Sequence, residues 1–228
     1  MRKFLHRHEG QIQSDSDQSF VGGIPRVLPG TTPPKCGLCG ADLTFFFQVA
    51  FPAPHAWHGH SLALFVCTSG GDRDHLIPDM LDADEMKGAS APRDFLETYQ
   101  KAFRILVFES ALGETLRGYR ERVAFAPLDV RSTKEGAIGF LNDKPKWESG
   151  DETPGKVAGS APVFLLQVFA QTDFPVVKGA PRQMVPGNKG KPRRTLSPDL
   201  YYLFSSGAVY LFGPRKPDSA VYVLIQRG

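Results

Sequence analysis

Glycine and proline interrupt this chain so often that few long helices fit between them. The 228 residues include 23 glycines and 19 prolines, about 18% of the chain where roughly 12% is typical. Both residues end regular structure, because glycine is conformationally free and proline lacks an N–H donor. The sequence therefore predicts a fold of many short strands joined by turns.

Nearly continuous apolar runs, typical of strands covered on both faces, occur in both halves of the chain. They are residues 43–49, 62–67 and 103–108 in the first half and residues 164–169, 200–204, 209–212 and 221–225 in the second. Between them, the apolar spacing after Pro92 predicts a short helix, and the charges over residues 111–122 predict an exposed one.

The similar order of elements in the two halves predicts an internal duplication, although apolar strands resemble one another in any case. We expect an α+β, predominantly β fold, with a first repeat at residues 19–125 and a second at 126–228. The two repeats would form one globular domain around a pseudo-two-fold axis. Residues 1–18 are polar and aperiodic, which predicts a flexible N-terminal arm that is dispensable for folding.

A glutamine stands at matching positions in two of the apolar runs, as Gln48 and Gln167. A buried amide must be hydrogen-bonded. We therefore expect both side chains to be buried and to close gaps in the backbone hydrogen bonding; ligand binding is the alternative.

Charge and hydropathy limit the possible partners. The net charge of +3 and the pI of about 8.7 are mild, and nucleic-acid binding usually needs a more basic domain. No apolar run approaches the roughly 20 residues of a membrane span, and the N-terminus lacks a signal-peptide core. The cytoplasm is the expected location.

The basic run at residues 189–194 suits a solvated loop, or contact with phosphates or an acidic protein surface.

Three cysteines are too few, and odd in number, for a disulfide scaffold. Cys36 and Cys39 form a C-x-x-C-G motif, in which two thiolates can hold one zinc ion. We expect a structural zinc site formed by Cys36, Cys39, Cys67 and His75. The alternatives for the fourth ligand are His58, His60, Asp72 and Asp74. Free thiols or a labile disulfide are the alternatives to zinc, and Cys67 alone also suits a small buried apolar residue.

A second cluster contains His55, His58 and His60, but no carboxylate stands at a familiar metal-site spacing. Solvated loop histidines are the favoured interpretation. The glycine-rich stretches lack phosphate-loop spacing, and there is no G-x-S-x-G motif.

The order Gly-Gly-x-Pro (residues 22–25), C-x-x-C-G (36–40), Phe-Phe-x-Gln (45–48) and Leu-x-Leu-Phe-Val-Cys (62–67) resembles the bacterial YwqG-like family of unknown function. It is also similar to the amino-terminal part of the eukaryotic programmed cell death protein 2 family. The chain departs from the pattern at residues 138–140, which lack a clean Gly-Gly-x-Pro, and in having only Cys67 after the second strand. The resemblance implies a mostly β fold with an internal pseudo-two-fold and, from the eukaryotic relatives, binding of a ribosome-related client protein; it implies no catalytic residues.

The sequence therefore favours a non-enzymatic binding protein with a protein partner, in a narrower version an immunity or client-capture protein. The alternative is a metal-dependent hydrolase that uses the histidines around His58.

Overall fold

The computed structural model describes residues 2–70, 87–141, 144–186 and 192–226. Within these ranges the chain is predominantly β, as predicted, with eighteen strands and one α-helix. No helix among the described residues is long and apolar enough to cross a membrane.

The first nine strands in chain order are β1 (Lys3–Arg7), β2 (Phe20–Val21), β3 (Arg26–Val27), β4 (Thr44–Ala50), β5 (His60–Val66), β6 (Ser90–Ala91), β7 (Phe103–Glu109), β8 (Glu114–Thr115) and β9 (Ala126–Arg131). The last nine are β10 (Ala137–Leu141), β11 (Lys156–Val157), β12 (Val163–Val168), β13 (Asp173–Pro175), β14 (Met184–Pro186), β15 (Pro192–Arg194), β16 (Leu200–Tyr202), β17 (Ala208–Gly213) and β18 (Tyr222–Gln226). Helix α1 spans Arg93–Tyr99, and short 3₁₀ turns lie at Ser110–Leu112 and Leu203–Ser206.

Ten strands form one sheet in the order β18-β17-β12-β10-β1-β9-β2-β4-β5-β7, and all neighbouring strands in it are antiparallel. Outward from the central pair β1 and β9, each side of the sheet adds its strands in chain order. The two sides also share a local irregularity, because the pairing slips once in β4, between Phe45 and Phe47, and once in β12, between Phe164 and Leu166. Duplication of the sequence itself stays a prediction.

The two glutamines are buried, as predicted: Gln48 is 1% exposed and Gln167 is 0% exposed. Gln48 Oε1 accepts a hydrogen bond from the backbone N–H of Arg26 (3.1 Å), and Gln167 Oε1 accepts one from the N–H of Lys146 (2.9 Å). Each donor directly follows a proline in the sequence. Both amide groups therefore satisfy backbone N–H groups that lie outside the ten-stranded sheet, which is the structural role expected of them.

Strand β5 has apolar neighbours on both faces. Leu62, Leu64 and Val66 belong to the larger core cluster, whereas Ala63 and Phe65 belong to a smaller one on the opposite face. Successive side chains of a strand point to opposite faces, so the continuous apolar run predicts this double burial correctly. The next residue along, Cys67, joins the smaller cluster.

Helix α1 follows Pro92 as predicted and buries Leu96 and Tyr99. The helix predicted over residues 111–122 is wrong. Strand β8 lies there and pairs with β3, and Gly118 has a left-handed φ of +76°. Pairing with a distant segment has overridden a charge spacing that suits a helix, because helix propensity is a weak preference.

The prediction of a flexible arm over residues 1–18 is also wrong. Strand β1 lies at the centre of the sheet, where it pairs with both β9 and β10. Leu5 is 2% exposed. Further along, the Gln13 side chain donates to the carbonyl of Ile24 (2.7 Å) and accepts from its N–H (2.8 Å). Backbone pairing on both edges compensates for the low apolar content that suggested disorder.

We expect Leu5→Ala to destabilise the protein by about 2–5 kcal/mol, because it leaves a cavity in the core. Ile12→Ala is the matched control within the same segment, since Ile12 is 95% exposed, and it should change stability by less than about 0.5 kcal/mol. Urea denaturation measures both. Equal stabilities of the two variants would show that the N-terminal segment does not dock.

Candidate metal centre

The C-x-x-C-G motif lies in a hairpin loop, residues 35–42, just before β4. Lys35 and Asp42 form an antiparallel bridge at its ends, and their side chains form an exposed ion pair (Nζ–Oδ1 2.7 Å). Inside it, the N–H of Cys36 donates to the carbonyl of Ala41 (2.8 Å), and the N–H of Gly40 donates to the carbonyl of Cys36 (2.9 Å). Gly40 has a φ of +72°, a conformation that other residues adopt only under strain.

The third cysteine directly follows strand β5, and the segment between α1 and β7 holds it beside the loop. The N–H of Cys67 donates to the carbonyl of Ala102, and the N–H of Gly37 donates to the carbonyl of Lys101, both at 2.8 Å. Two adjacent carbonyls thus fix both cysteine-bearing segments. The sequence analysis missed Lys101 and Ala102, because a backbone acceptor leaves no signal in side-chain identity.

The three sulfur atoms lie within 4.8 Å of one another. The Sγ atoms of Cys39 and Cys67 are 3.7 Å apart. Zinc–sulfur bonds of about 2.3 Å in a tetrahedron place neighbouring sulfurs roughly 3.8 Å apart. Cys36 and Cys67 are buried and Cys39 is exposed, and none forms a disulfide. The sulfur positions therefore suit three ligands of one metal ion, with an approach from the side of Cys39.

Burial, and to a smaller extent the neighbouring Cys36 and Cys39, raise the pKa of the Cys67 thiol to about 12. Backbone hydrogen bonds from Gly70 and Ser69 oppose this rise in pKa. Without a cation, the site therefore favours a neutral thiol at neutral pH. A bound divalent ion reverses this preference, because coordination deprotonates the thiol.

The turn after Cys67 has a spacing that the sequence analysis overlooked. Gly70 stands three residues after Cys67, as Cys39 stands three residues after Cys36. The N–H of Gly70 lies 3.4 Å from the sulfur of Cys67 as a hydrogen-bond donor. The segment at Cys67 therefore repeats the cysteine spacing with a glycine in place of the second cysteine.

Three of the four predicted ligands, Cys36, Cys39 and Cys67, come together. The fourth, His75, lies outside the described residues, as do the alternatives Asp72 and Asp74. In the part of the chain that the structure describes, only the three cysteines bring three ligating atoms within 4.8 Å of one another.

The histidine cluster does not assemble into such a group in the described residues. His55 is buried, its Nδ1 accepts the N–H of Trp57 (3.0 Å), and its ring stacks on Phe51 at 4.4 Å between centroids. Burial lowers the pKa of His55, so a neutral, structural imidazole is favoured. His58 is exposed and His60 begins strand β5. The expectation of a solvated histidine loop therefore fails for His55.

A comparison of the chain with protein-family models and with curated proteins finds no match. The resemblance to the YwqG-like and programmed cell death protein 2 families stays a prediction.

We expect the purified protein to contain about one equivalent of zinc, with zinc–sulfur distances near 2.3 Å by X-ray absorption. Cys39→Ser should lose the metal and much of the stability, because binding free energy at a structural site is also folding free energy. His75→Ala should weaken zinc binding less, since water can replace one ligand. His58→Ala is the control and should leave zinc content unchanged. Protein prepared without chelator that holds no significant zinc would contradict the site.

Gly70→Cys should convert the three-sulfur site into a four-sulfur site. The new thiolate would stand at the spacing that Cys39 has to Cys36. The expected result is tighter zinc binding in competition with a chelator. X-ray absorption data should show sulfur ligands only. Ser69→Cys, one residue earlier and exposed, is the control. Equal zinc affinity in the two variants would refute the proposed spacing.

Proposed function

We propose that this protein is a non-enzymatic binding protein in which Cys36, Cys39 and Cys67 hold a structural zinc ion. The observation that carries the zinc proposal is the approach of three sulfur atoms within 4.8 Å of one another. They come from two segments that are far apart in sequence. Thiolate ligands favour zinc over harder cations.

The chemistry of the ligands favours a structural role. Sulfur-rich, four-coordinate zinc sites are structural, whereas catalytic zinc sites usually have histidine or carboxylate ligands and an open position for water. Two of the three sulfurs are also buried. The zinc ion would tie the loop at residues 35–42 to the end of β5 and so hold the segment that leads into β4.

The proposal that this protein binds a protein partner rests on its resemblance to families whose eukaryotic members suggest client capture. An immunity or client-capture role is the narrower form of this proposal. The zinc loop itself offers an apolar contact, since Leu38, between the two cysteines of the motif, is 38% exposed.

The hydrolase alternative would require a metal at the histidines around His58. His55 already uses Nδ1 to accept a backbone hydrogen bond, and its Nε2 lies 3.4 Å from the carbonyl oxygen of Phe164. Both ring nitrogens therefore face protein atoms, which disfavours metal coordination by His55.

Two measurements distinguish the proposals. A quantitative pull-down from the source cell should recover one protein in stoichiometric amount with the zinc-loaded chain. A broad hydrolase screen with zinc, manganese and magnesium should show no turnover above that of His58→Ala. Metal-dependent turnover that this variant abolishes would establish the hydrolase and overturn the binding proposal.

A further inference from the structure

Positive charge is concentrated in one segment of the second half. Residues 174–198 contain six lysines and arginines and no aspartate or glutamate. The whole chain has a net charge of +3, so the remainder is net negative, at −3. The mild overall charge therefore conceals a strongly basic segment on an otherwise slightly acidic molecule.

The described residues of this segment, 174–186 and 192–198, lie outside the main sheet and include the paired strands β14 and β15. The side chains of Lys178, Arg182, Arg193 and Arg194 are exposed. Within the described ranges none of these four forms an ion pair with a carboxylate. Arg193 and Arg194 are consecutive on β15, so they lie on opposite faces of the two-stranded hairpin. We call the four exposed cations on this hairpin and its flanks the basic surface. Among the described residues no carboxylate neutralises their charge, which leaves it available to an external anion.

The base of the hairpin is held firmly. The buried Gln183 accepts the N–H of Tyr202 and donates to its carbonyl, both at 2.8 Å. The N–H of Thr195 donates to the carbonyl of Gln183, and the N–H of Met184 donates to that of Thr68, both at 2.9 Å. These bonds fix the strands that carry the cations, so a partner does not have to order them. Thr68 follows Cys67, which places the base of the hairpin beside the cysteines.

The surroundings of the cations favour a protein over a nucleic acid. Leu196 is 91% exposed, two residues after Arg194, and offers an apolar contact beside the charges. Phe174 is the only aromatic residue of the segment and is fully buried. Single-stranded nucleic acids are usually bound by exposed aromatic side chains on which bases stack.

We propose that the basic surface, with Leu196, binds an acidic protein segment that carries an apolar side chain. This goes beyond the proposed function by naming the surface and the chemistry of the partner, and it rests on that function being partner binding. It does not depend on the metal.

The probe is a fluorescein-labelled 12-residue peptide of Asp, Glu and Leu, titrated with the full zinc-loaded chain in fluorescence anisotropy. Binding should weaken as salt increases, because the contacts are exposed charges. Arg193→Gln/Arg194→Gln should weaken binding about tenfold, the equivalent of about 1.4 kcal/mol. Arg182→Gln, a single substitution on the other side of the hairpin, should weaken peptide binding less. This variant still tests the proposal if the double variant does not fold.

The matched control is Arg215→Gln/Lys216→Gln, which removes the same charge. These exposed residues follow β17, a six-residue strand about 20 Å long. Tyr202, which holds the base of the hairpin, precedes that strand, so β17 separates the control residues from the hairpin. The control should bind the peptide like the wild type. A twelve-nucleotide oligothymidylate tests for nucleic acid and should bind more weakly than the peptide.

Three results would overturn the proposal: no peptide binding by the wild type, equal losses in the control and arginine variants, or tighter binding of the oligonucleotide. Zinc content is measured on the same samples. If the purified wild type holds no significant zinc and still binds the peptide, the missing zinc contradicts the zinc centre and the peptide binding supports the basic surface.

Discussion

The pairing of β1 with β9 joins the two sides of the sheet, and the rest of the fold depends on it. β1 also pairs with β10, and β9 also pairs with β2, so each central strand links its own half of the chain to the other half. Buried backbone groups need hydrogen-bond partners, and removing β1 would expose the inner edges of both neighbours. Five residues near the N-terminus therefore hold together elements that lie more than 120 positions further along the chain.

The cysteine centre is a consequence of the same sheet. Alternation along β5 turns Phe65 and Cys67 to the face that also buries Cys36. Pairing of β5 with β7 brings the preceding residues, Lys101 and Ala102, to the point where their carbonyls hold both cysteine segments. The positions of the three sulfur atoms are therefore set by backbone geometry. The same turn, through Thr68, supports the base of the basic hairpin.

The predictions that were correct concern features that depend on residue types within one short stretch of the chain. The strand at residues 62–67 and the burial of Gln48 followed from residue types alone, because a double-sided apolar run and an isolated amide within it have few other solutions. The predictions for residues 1–18 and 111–122 failed for one shared reason. Both segments are organised by pairing with distant strands, and their own composition suits a different local structure. His55 was misjudged for a partly different reason: its ring stacks on the nearby Phe51, and only its contact with the carbonyl oxygen of Phe164 comes from a distant segment.

The sequence by itself determined the predominantly β class, the positions of the main strands and the C-x-x-C-G spacing of Cys36 and Cys39, because these depend on hydrophobic periodicity and on short-range spacing. Only the tertiary structure decided that the N-terminal segment is the centre of the sheet and that Cys67 meets the C-x-x-C loop. It also decided that the cations near Arg193 lie on an exposed, anchored hairpin. The physical reason is that strand pairing uses backbone groups common to all residues. The partner of a strand therefore depends on the fold of the whole chain and cannot be predicted from the residues of either strand alone.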